Sequence, residues 1–345
     1  MRRCLVRKPR SGPGAPVSSP QTSLGAWCAG RPEPDCPASA LALAARSGLL
    51  RLPLPGRGST WQRWQALAEL AAHDLSLARL GEGHADALAI LAEAGRPEPP
   101  TNWLLGVWAA GPVDSVVAEP EGGAWRLTGR RRWCSGASSI THALVTGSLE
   151  GANQLFLVDL HQPGVVPCPG SWPAVGMAGS DSVDVDLSEA GAEVVGGPGF
   201  YLGRSGFWHG ALGVAACWWG GAVGVSRALW RASKARSTSD CLAHLGAVDA
   251  RLWSMESALR AAAAVVDTHP QDTEAIRCLA LRARHLIERG ATEVMDRTGR
   301  ATGAGPLSHD AAHAQRVADL TVYLRQIHAE ADLEVLGRTL IEKPE

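Results

Sequence analysis

The chain is poor in Phe and Tyr, with three and two of them against thirteen Trp in 345 residues. Trp therefore supplies most of the aromatic bulk, either as core filling or as a platform for a ligand. Charge of one sign is also missing: 33 Lys and Arg face 34 Asp and Glu, for a formal net charge of -1. That balance excludes a nucleic-acid partner or an acidic tail argued from charge, and a small molecule is the expected partner. The eight cysteines form no Cys-x-x-Cys pair and are scattered without a zinc-type pattern of Cys and His, so no metal site is expected. No secretory hydrophobic region follows the basic start, which makes a reducing cytoplasm with unpaired thiols the expectation. Long apolar runs are almost absent. Gly206 to Val225 alone reaches the roughly twenty residues of a membrane crossing, with Gly206/Gly210 and Gly220/Gly224 at small-residue spacing. Because no neighbouring segment shares its character, it reads as a helix buried in a bundle rather than a span.

The length allows a sizeable core. Residues 1–35, rich in Pro, Gly, Ser and Arg, are expected to form a disordered tail, since they cannot bury enough apolar surface to offset ordering entropy. Residues 36–102 carry helical spacing through Leu67, Leu70, Leu75, Leu77, Leu80 and Ile90, ended by Gly95 and the prolines after it. Between 103 and 203 the period changes to two in short runs: Val113–Ala118, Ala124–Trp133, Ala143–Gly147, Gln154–Asp159, Val183–Leu187 and Glu193–Val195. Such runs predict a small antiparallel barrel or sandwich. From 204 to 340 four helical blocks are predicted, near 207–236, 241–267, 272–298 and 307–338, with a glycine-rich connection from Gly299 to Pro306. The predicted class is α+β: N-terminal helices, a central β-domain and a C-terminal four-helix bundle.

The richest segment is Gly123-Ala124-Trp125-Arg126-Leu127-Thr128-Gly129-Arg130-Arg131-Arg132-Trp133-Cys134-Ser135-Gly136-Ala137. Its end sets a flat aromatic face and a short hydroxyl beside accessible backbone, the elements that hold a planar heterocycle. This run resembles the β-domain signature of the acyl-CoA dehydrogenase superfamily, Gly-Trp-x-Leu-x-Gly-x-Lys-x-(Trp/Phe)-x-(Thr/Ser)-x-Ala. A second block, Val175-Gly176-Met177-Ala178-Gly179-Ser180-Asp181-Ser182-Val183-Asp184-Val185, resembles that family's Gly-Met-Arg-x-Ser-x-x-x-x-Val. The order of helices, barrel and bundle matches the family over roughly residues 60 to 340, with the N-terminal domain shortened.

The resemblance implies an FAD flavoprotein that assembles through its bundle as a homodimer or homotetramer. In it Trp133 packs on the isoalloxazine, Ser135 hydrogen-bonds near N5 or O4, and backbone around Trp108, Ala110 and Gly111 faces the pyrimidine end. The family grips the FAD diphosphate with an Arg-x-x-Phe-Gly segment, replaced here by Arg236-Ser237-Thr238-Ser239-Asp240. It also uses a Gln-x-x-Gly-Gly-x-Gly segment, where this chain offers Arg297, Gly299 and Gly303. Dehydrogenation of an acyl thioester needs a carboxylate to remove the α-proton. End-anchored comparison sets Gln326 at the family's Glu, with Glu330 one helical turn away as a substitute, and Gly206 to Gly210 contains no carboxylate. His328, with Arg316 and Asp319, resembles instead the flavin monooxygenases of this fold, in which a His near reduced flavin deprotonates a substrate. His84 and His209 are weighed as core residues. The first expectation is α,β-dehydrogenation of an acyl-CoA, with an electron-acceptor flavoprotein as partner. The alternatives are a monooxygenase fed by a flavin reductase and a catalytically degenerate partner subunit.

Overall fold

The computed structural model describes residues 24–30 and 36–342. Most of the expected tail lies outside the described residues, but Leu24–Ala29 is helical (α1). Leu24 and Cys28 are buried, and the Gly25 amide donates to the Glu69 carboxylate at 3.0 Å. That short apolar face therefore departs from the expected tail. Next come α2 (Pro37–Arg46), α3 (Thr60–His73) and α4 (Leu75–Glu93). The break between the last two is Asp74, whose side chain caps α4 by accepting from the Leu77 amide at 2.7 Å.

The β-domain holds β1 (Leu105–Trp108), β2 (Val116–Glu121), β3 (Ala124–Cys134), β4 (His142–Leu149), β5 (Ala152–Asp159), β6 (Val165–Cys168) and β7 (Val183–Val195). Strand order β4-β2-β3-β7-β5 returns to β4, so the sheet closes into a small barrel, with β1 on β4 and β6 on β7. Most pairings are antiparallel, but β1 and β2 both run parallel to β4. Alternation along β4 and β5 packs Ala143, Val145, Phe156 and Val158 into the main core. Two short strands, β1 and β6, are not among the predicted runs. The two runs ending at Leu187 and Val195 are one continuous strand. Four residues give too little alternation to separate from a loop.

A short helix α5 (Phe200–Gly203) leads into α6 (Gly206–Ala235), α7 (Ser239–Thr268) and α8 (Thr273–Thr302). The predicted fourth helix is instead divided into α9 (Gly305–His309), α10 (Ala311–Tyr323) and α11 (Glu330–Glu342). Asp310 restarts the helix by accepting from the His313 amide at 3.0 Å, and Ala329 in the left-handed region (φ 44°) separates the last two pieces. The glycine-rich connection is shorter than predicted, since α8 continues through Gly299 to Thr302 and only Gly303, at φ 69°, ends it. Pairs Arg297–Glu293 and Arg300–Asp296, four residues apart, support that extra turn.

The apolar run is the buried helix α6, packed on α3 and α8, and among the described residues no helix is long and apolar enough to cross a membrane. Its glycines are there for contact. A Cβ at Gly220 would lie 2.1 Å from the Ala68 carbonyl oxygen, and one at Gly224 would lie 2.9 Å from that of Ala72. The small-residue spacing thus brings two backbones of one chain together, sealing Trp64 and Trp218 at 0% exposure.

Gly220→Val is expected to destabilise by about 3 kcal/mol or more, because the clash is with backbone. Gly246→Ala, in an open stretch of α7 with nothing within 4 Å, should gain about 0.5–1 kcal/mol. Urea midpoints of both variants against wild type check the pair.

Candidate functional site

The end of β3 owes its shape to a slip in its ladder with β7 between Arg131 and Cys134. Strict alternation would turn Trp133 inward with Arg131. Instead Arg131 is fully buried, and the indole of Trp133, at φ 58°, is 52% exposed on the rim. A β-bulge is the physical cause, and a left-handed backbone at a bulky residue costs on the order of 1–3 kcal/mol. The following turn is locked in place. Gly136 N donates to Ser180 O at 2.8 Å, and Ala137 N to Asp181 O at 3.2 Å.

This turn seats Ser135, 8% exposed. Its carbonyl accepts from the buried Trp108 indole at 3.1 Å, and its hydroxyl accepts from Arg79 Nε at 3.2 Å and contacts Ser182 Oγ at 2.9 Å. Arg79 arrives from α4, where its Nη1 meets Glu82 Oε2 at 2.6 Å. Arg79, Leu80, Gly83, Leu105, Gly106 and Ser135 surround a cavity of about 10 Å³, room for a single water. His84 stands behind this wall and accepts from the Leu105 amide at 3.1 Å. Burial, helped by Arg51, pulls the His84 imidazole down to about 4, so it is neutral at pH 7.

The electrostatics behind Ser135 follow from burial. Desolvation pushes the Glu82 carboxyl upward, against the attraction of Arg79 and with the repulsion of Asp86. Burial is the largest influence on the Arg79 guanidinium and pulls it down, but Glu82 together with Tyr323, Tyr201 and Cys217 outweighs it, so the net direction is upward. The pair holds a cation against the sheet corner at little net charge.

Of the residues singled out in the sequence, those from the β-domain converge. Trp108, Trp133 and Ser135 form the corner, and the Ala110 carbonyl is fastened to Arg131 Nη1 at 3.2 Å. Arg131 also holds the Pro112 carbonyl at 3.1 Å and that of Thr146. The bundle residues do not join them. Arg297 is paired with Glu293 at 2.7 Å beside an open cleft of about 450 Å³ lined by Arg251, Arg289, Thr292, Glu293 and Asp296. Gly299 lies inside α8, and Gly303 is its cap. Gln326 is exposed in a single 3-10 turn, and Glu330 opens α11, so they are not one helical turn apart on a common helix. The side chain of His328 is 82% exposed, 3.7 Å from Asp332. Asp319 is buried and accepts from the Met177 amide at 2.5 Å and from Gln315 at 2.7 Å, clamping the 176–182 turn on α10. His209 is buried in α6.

The Trp133 indole is exposed on the rim, whereas the Ser135 hydroxyl is buried against Arg79 and Ser182, and the enclosed space beside Ser135 holds only a water. Sequence reasoning missed Arg79, Glu82 and Ser182. The available signal was two opposite charges three residues apart in the mostly apolar stretch Leu75–Leu91, which also holds His84 and Asp86.

No protein-family profile matches the chain, and no curated protein does. Solved structures do match its fold. Methanesulfinate monooxygenase from Pseudomonas fluorescens superposes with a TM-score of 0.75 at 20% identity, covering 95% of this chain and 98% of its own. Dibenzothiophene monooxygenase from Paenibacillus sp. A11-2, bound to FMN and indole, gives 0.73 at 19% identity over 88% and 94%. KijD3, in complex with FMN and a dTDP-linked keto sugar, gives 0.74 at 16% over 90% and 88%. The shared architecture of N-terminal helices, small β-barrel and C-terminal helical bundle is acyl-CoA dehydrogenase-like.

Because the folded value of His84 lies below the usual His value of 6.5, its contribution is complete above that pH. It is lost as pH falls toward 4, an effect of up to about 3 kcal/mol. His84→Gln should flatten the slope of stability between pH 6.5 and 4 in urea melts.

Proposed function

We propose that the chain is a reduced-flavin-dependent monooxygenase acting on a small molecule, with FMN as the flavin and a flavin reductase as the source of electrons. One observation carries this reading: the bulge leaves the Trp133 indole half-exposed at the end of β3, two residues before Ser135, on a fold whose similar structures include FMN complexes of a monooxygenase. Reduced flavin, when bound, supplies the electrons that activate oxygen. The chain's own residues orient and shield. Trp133 offers the stacking face, Ser135 and Arg79 offer polar contacts, and Arg131 fixes the backbone at Ala110 and Pro112 that is assigned to the pyrimidine end.

FMN is preferred to the FAD expected from the sequence because α8 remains helical through Gly299, which leaves little glycine-rich loop to cradle a second phosphate. Monooxygenation is preferred to acyl-thioester dehydrogenation because the buried carboxylate nearest Ser135 in this network, Glu82, is committed to Arg79 at 2.6 Å. Gln326 has no acid to offer. Self-association through the bundle is part of the proposal, supported by Trp253 at 70% exposure on α7 and Ile341 at 87% on α11.

Trp133→Ala and Ser135→Ala should each weaken FMN binding by about tenfold, the equivalent of 1.4 kcal/mol, read by fluorescence quenching. Oxygen uptake with an aromatic probe such as indole should require added reduced FMN. Bleaching of bound flavin by an acyl-CoA without oxygen would instead establish the dehydrogenase.

A further inference from the structure

Helix α7 is apolar on two sides. Val248, Met255, Leu259 and Val266 are buried in the bundle core. On a second, outward side Leu242, Gly246, Asp249 and Trp253 follow one another at steps of four, three and four residues, which sets them on a single stripe about 16 Å long. All four are exposed, Leu242 at 47% and Trp253 at 70%, and nothing lies within 4 Å of a Cβ built at Gly246. Folding thus leaves an indole and a leucine uncovered on one face, as an interaction surface requires.

The sizes along this stripe read the same from either end: a large apolar residue, two short ones, a large apolar residue. Such an order is complementary to itself when a two-fold axis sets two α7 helices antiparallel. Leu242 of each copy then meets Trp253 of the other, and Gly246 meets Asp249. The flanking charges have the same symmetry. Asp240 lies two residues before Leu242, and Arg289 is level with Met255, two residues beyond Trp253, because a Cβ at the adjacent Gly290 would lie 2.6 Å from Met255 Sδ. Both are exposed and make no ion pair among the described residues. The pairing that sets Leu242 on Trp253 therefore also sets Asp240 of each copy level with Arg289 of the other. Other arginines nearby are already engaged, Arg251 and Arg297 with Glu293 and Arg300 with Asp296. Two helices of this length cover less than the ~800 Å² per partner of a stable interface. Trp230 on α6 widens the face: it is 43% exposed, one turn before Ser233, whose hydroxyl contacts Cys241 Sγ at 3.2 Å at the start of α7.

We propose that the α7 stripe is the contact between two copies of this chain, packed antiparallel about a two-fold axis between Gly246 and Asp249. Trp253 of each copy sits over Leu242 and the bare backbone at Gly246 of the other. A second copy supplies the matching sizes and charges by symmetry alone. The two Asp249 carboxylates flank the axis and are the one like-charge approach in the contact, which weakens it. This pairing gives the self-association named above its surface and rests on that reading. It does not depend on the flavin, so a dimer of this kind that binds no FMN fails the flavin reading and keeps this one.

Sedimentation equilibrium of the full chain over a concentration series tests the pairing. Wild type should self-associate, and Trp253→Glu should raise the dimer Kd at least about thirtyfold, the scale of an aromatic hot spot. Asp240→Arg and Arg289→Asp should each raise it about fivefold, and both together in one chain should return it to near the wild-type value, because each pair re-forms with its signs exchanged. Asp249→Asn should lower it. Ile341→Ser, on the exposed face of α11, should leave it unchanged. A monomeric wild type overturns the proposal, as does association that Trp253→Glu leaves intact or that Ile341→Ser abolishes. A double exchange that associates no better than either single variant overturns the antiparallel register. If Trp253→Glu fails to fold by circular dichroism, Leu242→Arg reads the same contact. Fluorescence quenching by FMN in wild type tests the flavin reading separately.

Discussion

A single hydrogen-bonded line ties the three parts of this molecule together, and the candidate site is built where it crosses the sheet. It begins at Glu82 and Arg79 on α4, passes through Ser135 at the end of β3, then Ser182 and Ser180 before β7, and reaches Met177, whose amide is held by Asp319 on α10. Each link is buried or nearly so, and buried polar groups tolerate little rearrangement because an unmade bond costs more than a made one returns. Helices, barrel and terminal helix are thereby held in one relative position.

The barrel supplies the second constraint. Its closure through β4, β2, β3, β7 and β5 leaves few free edges, and the irregularities occur where β3 meets β7. One slip is at Gly129, where φ 139° and a Cβ position 2.1 Å from the Ser115 carbonyl oxygen admit no side chain. The other turns Trp133 outward. Without the second slip, period two would place that indole in the core and leave a guanidinium on the rim, reversing the chemistry of the corner.

Packing in the bundle rests on backbone proximity. Gly220 and Gly224 let α6 sink against Ala68 and Ala72 of α3, and this brings Trp64, Trp218 and Tyr323 into a core with no exposure. Arg284 stacks over the Trp218 ring at 4.7 Å and bonds to the Ala211 and Gln326 carbonyls, so the turn after α10 is anchored from inside, with Leu324 and Ile327 buried and the Gln326 and His328 side chains exposed. That anchoring explains why Gln326, His328 and Glu330, adjacent in the chain and chemically suggestive, do not reach the corner at Ser135.

Much of this was legible in the residues. Apolar spacing announced α3, α4 and the first three bundle helices, alternation announced the longer strands, and the run from Gly123 to Ala137 announced the corner, because those signals are local and set by period or by a short motif. The bulge that exposes Trp133, the extension of α8 through Gly299, the division of the last helix and the approach of Arg79 to Ser135 were decided only by tertiary structure. A bulge depends on the partner strand, a helix end on competing caps and ion pairs, and a contact 56 residues apart on the packing of two domains. The sequence by itself determined most of the elements and marked the corner at the end of β3. Only the folded chain decided which charge stands beside it, since that follows from neighbours that chain order does not bring together.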